Sequence, residues 1–213
     1  MMRIGINPAQ VAWSGESSQI VLGSRDGSNV SALAFSFRAF VSPYGQGSGL
    51  ILLTEPERPA GWPDACNLVM SDNQVLTKWL MERFIVNRPE FDSLPALKAT
   101  SWQALLFATR RSRLPDGGET QSFQGSAVSV ELEWSSVSPP SQVVLPPHQT
   151  FAGAHAVYAL ILGAQMAEIR VGGAKLPGTT ARHGVNGSGG YLTHLAKSET
   201  WMHGAGQSDN NAA

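Results

Sequence analysis

The sequence predicts a mainly β protein, folded as an antiparallel barrel or a strongly curved double sheet, with one amphipathic helix near residues 73–86. The clearest support comes from residues 126–135, where apolar and polar side chains alternate strictly. The apolar set is Val128, Val130, Leu132 and Trp134. Side chains of a strand alternate between its faces, so this run predicts one buried and one solvated face, as in an antiparallel sheet.

Two further runs support the same fold class. Residues 29–42 predict a long strand, and residues 49–54 form a continuous apolar strand that should be covered on both faces. On the long strand, one predicted face carries Leu33, Phe35, Phe37, Ala39 and Val41. A short strand at 18–24 and an Asp26-Gly27 turn precede it, whereas the first 14 residues look irregular.

One helix is predicted from capping and spacing. Residues 71–74 have the Ser-x-x-Gln form of a capping box, and Pro89 ends the segment. The apolar residues at helical spacing are Val75, Leu76, Trp79, Leu80 and Phe84. This stripe indicates core packing, and we expect the helix to lie against one end of the barrel.

The rest of the chain completes a sheet of about ten strands. Residues 94–114 fit either a strand or a helix, and weak helix propensity at 100–102 favours the strand. Further strands are predicted at 65–70, 142–145, 154–163, 165–171 and 191–202. Gly172-Gly173 predicts a hairpin, and the small polar tail at 204–213 is expected to be disordered.

The predicted organisation is a single β-rich domain over residues 1–203. Residues 125–129 have the same Gly-Ser-x-Val-Ser pattern as residues 27–31. This similarity suggests the alternative of two similar halves at about 15–110 and 111–203. With its many strands and single helix, the layout resembles calycin-type barrels. No diagnostic motif accompanies the resemblance, so no residue roles are carried over from that family.

Composition restricts the partners and the compartment. Charged residues make up 15% of the chain and the formal net charge is −1, which argues against nucleic-acid binding and favours self-association into a homo-oligomer. Because no leader or membrane-length apolar segment is present, we expect a cytoplasmic protein that does not bind membranes. The lone Cys66 is interpreted as a small buried hydrophobe, and no motif indicates a cofactor or a metal.

The candidate chemistry lies in the C-terminal strands, since all five histidines follow residue 147. His155 and His194 fall in predicted strands, and one of them could serve as a general base, with Glu168 as the neighbouring carboxylate. Arg170 and Tyr158 are the predicted ligand-binding neighbours. The alternatives are separate histidines without a common site, and an outward ion pair between Glu168 and Arg170.

For function, the sequence favours binding of a small, largely apolar molecule inside the barrel, with Trp62 capping the pocket. Small residues on strands could leave room for it, or could equally let another layer pack closely. They include Ala32, Ala34, Ala156 and Ala159. One alternative is a hydrolase, lyase or isomerase that uses a histidine base; a second is a non-catalytic structural subunit. The sequence leaves catalysis undecided.

Overall fold

A computed structural model describes residues 8–24, 29–112, 117–181 and 192–204. The strands in these ranges are β1 (Val11–Gly23), β2 (Val30–Val41), β3 (Gly47–Leu53), β4 (Leu68–Ser71), β5 (Ser101–Ser112), β6 (Glu119–Gly125), β7 (Ser129–Val137), β8 (Ser141–Leu145), β9 (His155–Val171), β10 (Ala174–Lys175), β11 (Thr179–Thr180) and β12 (His194–His203). The helix α1 (Gln74–Leu80) continues into a π-helical turn at Met81–Ile85, and short 3-10 turns lie at Pro8–Gln10, Pro95–Ala99 and Pro147–Gln149.

Nine strands form a closed barrel, which confirms the predicted fold class. Around the ring the order is β9-β12-β1-β2-β3-β4-β5-β6-β7, and pairing of β7 with β9 closes it. The barrel is mixed rather than wholly antiparallel, because β4 and β5 run parallel. Parallel neighbours need a long crossover, and here the connection from 72 to 100 contains α1.

The barrel interior is filled with side chains. Its buried apolar cluster includes Ile20, Leu22, Ala32, Ala34, Leu50, Leu52, Leu132, Trp134, Ile169 and Leu195. At its centre the Trp134 indole is fully buried and donates a hydrogen bond to the backbone oxygen of Gln19 at 3.1 Å. The small residues of β2 therefore let other side chains pack closely against them.

A second apolar layer covers the outside of one part of the barrel. The crossover contributes Leu76, Leu80, Phe84, Phe91 and Ala96, which pack against the odd-numbered face of β2 and its neighbours. The helix thus lies on the outer wall, whereas we expected it to pack against one end of the barrel. Burial of both faces explains why residues 49–54 are continuously apolar, as predicted.

The outer layer also contains a buried polar network around Glu199. Its carboxylate accepts hydrogen bonds from Arg88 Nη2 at 3.2 Å, from Trp201 Nε1 at 2.7 Å and from the Ser17 hydroxyl. The Arg88 guanidinium lies over the rings of Phe35 and Phe151, 4.7 and 5.0 Å from their centroids. This network ties the crossover to the strands beneath it.

Local details of the helix differ from the sequence prediction. Asn73, not Ser71, is the N-cap, and its side chain accepts a hydrogen bond from the Leu76 backbone at 3.1 Å. Val75 is 63% exposed, because the buried stripe follows Leu76 and Leu80 instead. The stripe itself is core packing, as predicted.

The observed strands differ from the predicted ones in three places. β1 begins at Val11, within the segment expected to be irregular, and β6 was not predicted at all. The two strands expected at 154–163 and 165–171 are one continuous strand, β9. Of the strand predicted at residues 94–114, Ser101–Ser112 is confirmed, whereas Pro95–Ala99 form a 3-10 turn. The Asp26-Gly27 turn and the tail after Gly204 lie outside the described residues.

No helix in the described ranges is long and apolar enough to cross a membrane.

Candidate functional site

One end of the barrel interior holds charged side chains that reach across it. We call Glu16, Arg110, Glu119, Gln121 and Lys197 the mouth network. Arg110 on β5 bonds Glu119 on β6 through Nε at 2.9 Å and Glu16 on β1 through Nη1 at 2.5 Å. The Lys197 ammonium on β12 also pairs with Glu119. Since β1 and β5 are not neighbours in the ring, Arg110 spans the interior.

The amide of Gln121 completes the mouth network. Its Nε2 donates to Glu119 at 2.7 Å and to Ser18 at 3.1 Å, while its oxygen accepts from Ser36 at 2.7 Å. Two carboxylates and two cations offset each other, so a fully buried Glu119 is accommodated. The polar interior at this end is therefore both paired and hydrogen-bonded.

An opening in the wall lies beside this network because β4 is only four residues long. Its pairing with β5 ends at Ala104, whereas β5 continues to Ser112 with β6 as its neighbour. A cleft of about 300 Å³ occupies the space between this part of β5 and the residues of β2 and β3. We call it the mouth cleft.

The lining of the mouth cleft is part apolar and part polar. Leu105, Phe107 and Phe123 contribute apolar surface, and Ser36 and Gln121 contribute hydrogen-bonding groups. A register shift between Leu105 and Phe107 interrupts the regular alternation of β5. As a result Phe107 and the adjacent Leu106 are 56% and 63% exposed, although both are large and apolar.

The opposite side of the cleft carries charge as well. Arg38 and Ser48 line it on β2 and β3, and Asp72 lies just after β4. The Asp72 carboxylate accepts a hydrogen bond from the Ser48 backbone at 2.7 Å. The cleft therefore joins exposed apolar side chains to a wall with both charged and neutral polar groups.

The two histidines predicted to share a site lie far apart. On β12, His194 pairs with Gly163 of β9, whereas His155 lies at the opposite end of that ladder, paired with His203. Eight residues of extended strand separate Gly163 from His155, which corresponds to about 26 Å. The shared histidine site does not form, because the two predicted strands meet with their histidines at opposite ends.

Glu168 and Arg170 form the outward ion pair that was one interpretation of the sequence. Arg170 Nη2 lies 2.7 Å from one Glu168 oxygen, and Lys175 Nζ lies 2.6 Å from the other. Hydrogen bonding and charge from Lys175, with a contribution from Arg170, hold the pKa of Glu168 below its ordinary value. The intervening Ile169 points into the barrel core, which places the ion pair on the outer face.

The remaining predicted ligand-binding residues lie elsewhere. Tyr158 on β9 stands between Val144 of β8 and Thr200 of β12. Trp62 is 39% exposed in a loop, and its carbonyl accepts a hydrogen bond from Ser101 at 3.1 Å. Within the described part of the chain, none of the six predicted site residues lines the mouth cleft.

The sequence did not indicate the residues of the mouth network, because β6 is a largely polar strand. Glu119, Gln121 and Phe123 lie on the inward face of β6, alternating with Thr120 and Ser122. Recognising β6 would have required treating a largely polar segment as a strand with charge on its buried face. Arg110 belongs to the basic cluster at 110–113, which by sequence alone indicates a solvated strand or helix end, or an anion contact; in the structure its side chain turns inward to Glu119.

Neither the cysteine nor a clustered metal centre provides another site. Burial raises the pKa of the Cys66 thiol to about 11, so this thiol is a poor nucleophile at neutral pH. Among the residues with described positions, no group of three or more His, Cys, Asp or Glu side chains is arranged to hold a metal ion.

Fold and cleft together define a mixed nine-strand β-barrel with a packed interior and an opening beside a charged mouth. Comparison with known protein families, with curated protein sequences and with solved structures found no match to this chain.

Proposed function

We propose that this barrel binds a small, largely apolar molecule in the mouth cleft rather than at the centre of the barrel. The central space is already occupied, since the apolar cluster around Trp134 fills it. The mouth cleft, by contrast, is open and offers about 300 Å³, the lower end of the range for small-molecule sites.

The exposure of Leu106 and Phe107 is the observation that carries the proposal. When a ligand covers large apolar side chains at the edge of a concave surface, the free energy of binding becomes more favourable by roughly 25 cal/mol per Å² of apolar area removed from water. Ser36 and Gln121 lie deeper in the same cleft and can orient one polar group of the ligand. Because Arg110 is offset by Glu16 and Glu119, the floor favours an uncharged ligand.

The proposal is tested with the uncharged apolar dye Nile red as the probe. We expect the dye to bind the wild-type protein with increased fluorescence. In Phe107→Ser its affinity should fall roughly fivefold, since about 1 kcal/mol of apolar contact is lost. Val75→Ser is the matched control, because Val75 is also apolar and more than half exposed but lies on α1, away from the mouth cleft.

The outcomes separate clearly. Weaker dye binding in Phe107→Ser alone supports the mouth cleft as the site. Equal affinities for the wild type and both variants, with unchanged thermal unfolding, would show that the dye binds elsewhere and that the cleft is not the binding site.

A further inference from the structure

The polar groups deep in the mouth cleft have a fixed hydrogen-bonding direction. Ser36 and Gln121 are each 3% exposed, and both line the cleft. The Ser36 hydroxyl lies 2.7 Å from the Gln121 amide oxygen, which carries no proton. Ser36 is therefore the donor of this hydrogen bond, and its single proton is committed to it.

The Gln121 amide is held so that its protons point away from the cleft. Its Nε2 donates to Glu119 at 2.7 Å. This carboxylate is paired with Arg110 and Lys197, and as an anion it only accepts hydrogen bonds. The second Nε2 proton is donated to the Ser18 hydroxyl at 3.1 Å. Turning the amide would place its oxygen against the carboxylate, so the observed orientation is the one that the charged groups fix.

Lone pairs therefore remain unused at the buried end of the cleft, whereas the protons there are all used within the protein. A hydroxyl oxygen and an amide oxygen can each accept two hydrogen bonds. From the described residues, the Ser36 oxygen accepts none and the Gln121 oxygen accepts one. Donors that also line the cleft, among them Arg38 and Arg110, belong to exposed residues that can bond water. A ligand that reaches the buried end meets two acceptors.

We infer that the ligand of the mouth cleft carries one uncharged hydrogen-bond donor, a hydroxyl or N–H group, directed at the oxygens of Ser36 and Gln121. The inference rests on the proposed function and narrows its ligand class to apolar alcohols, phenols and N–H compounds. A ketone, ether or ester of the same shape would place an oxygen against two oxygens with no proton between them. That oxygen would lose its hydrogen bonds to water and gain none in the cleft.

The test compares α-tetralol with α-tetralone, which share one ring skeleton, while only the alcohol has a hydrogen-bond donor. Each compound is titrated against the full-length protein loaded with Nile red, and its dissociation constant follows from the loss of dye fluorescence. We expect the alcohol to bind roughly tenfold more tightly than the ketone, because a hydrogen bond replaces an unpaired acceptor.

A variant of Gln121 tests the cause of this preference. Gln121→Met removes the amide oxygen that holds the Ser36 proton, so the hydroxyl can then donate as well as accept. We expect α-tetralone to gain affinity and the preference for the alcohol to fall to about twofold or less. A mere loss of packing would weaken the binding of both compounds and leave their ratio unchanged. Ser122→Ala is the matched control and should keep the wild-type ratio, because Ser122 follows Gln121 on β6 but does not line the cleft.

The outcomes distinguish this inference from the proposed function. Equal affinity of the wild type for both compounds, or a preference for the ketone, would overturn the donor requirement, as would failure of both to displace the dye. An unchanged ratio in Gln121→Met would also overturn it. The wild-type ratio decides the matter even where that variant folds poorly. The affinity of Nile red for Phe107→Ser separately decides whether the mouth cleft is the binding site.

Discussion

Glu119 and Glu199 are both buried carboxylates that accept three hydrogen bonds, but they lie on opposite faces of the barrel wall. At the mouth, the cations paired with Glu119 are Arg110 and Lys197, and each of their side chains is 30% exposed. In the outer layer, Arg88 is 10% exposed and is enclosed by two aromatic rings.

This difference in exposure determines how much stability the protein loses when one partner of a buried ion pair is removed. Water can replace a lost partner at the mouth, because Arg110 and Lys197 reach the surface. In the outer layer no such replacement is available to Arg88, and a lost partner leaves a charge in low-dielectric surroundings. The mouth network is therefore adaptable, whereas the Glu199 network anchors the crossover.

The largest effect is expected when the outer anchor is broken. Arg88→Met leaves the Glu199 carboxylate buried without its cation and should lower the free energy of unfolding by about 3–5 kcal/mol. Urea unfolding at neutral pH measures this loss. The double variant Arg88→Met/Glu199→Gln should recover much of it, because no charge then remains buried. A loss under about 1 kcal/mol in Arg88→Met would contradict the contrast with the mouth.

A smaller effect is expected at the mouth. Glu119→Gln removes the shared partner of two cations, but Arg110 keeps Glu16 and Lys197 can turn to solvent. The expected decrease in the free energy of unfolding is about 1–3 kcal/mol, measured by the same urea titration. If Glu119→Gln costs as much as Arg88→Met, the mouth is as rigid as the outer layer.

The surface pair around Glu168 should give the smallest effect. Glu168→Gln is expected to cost under ~1 kcal/mol at neutral pH, because solvent screens the pair. Folding lowers the pKa of Glu168, so its contribution is present above the unfolded value and is lost as the pH falls through the lower, folded pKa.

The pH dependence of that difference provides the check. Wild type and Glu168→Gln should differ in urea midpoint at pH 7, and the difference should shrink progressively below about pH 4.5. A difference that grows on acidification would mean that Glu168 is stabilised in its neutral form, opposite to the observed ion pairs.

Local periodicity made several elements predictable from the sequence. The alternating run in β7 and the apolar stripe of α1 each encode burial within about ten residues, so they were identified without knowledge of their partners. The same holds for β3, where burial on both faces requires an unbroken apolar run.

The site depends instead on pairings between distant parts of the chain. Arg110 and Glu16 are 94 positions apart, and only closure of the barrel brings them together. Likewise the register of β9 against β12 separates His155 from His194 and places His203 beside His155. No periodic pattern encodes such a register, so the mouth cleft and the histidine pair became visible only in the structure.

The pairing of β1 with β12 has a consequence for how the chain is made. Ser14 and Thr200 share a hydrogen bond although 186 positions separate them. At about 5–20 residues per second, a ribosome needs roughly 10–40 s to synthesise the stretch between them. Until β12 is synthesised, β1 can pair with β2 on one side only. The other edge of β1 and its apolar faces are then open to other chains. Protection of this nascent hairpin, by a chaperone or by low expression temperature, should therefore raise the yield of folded protein.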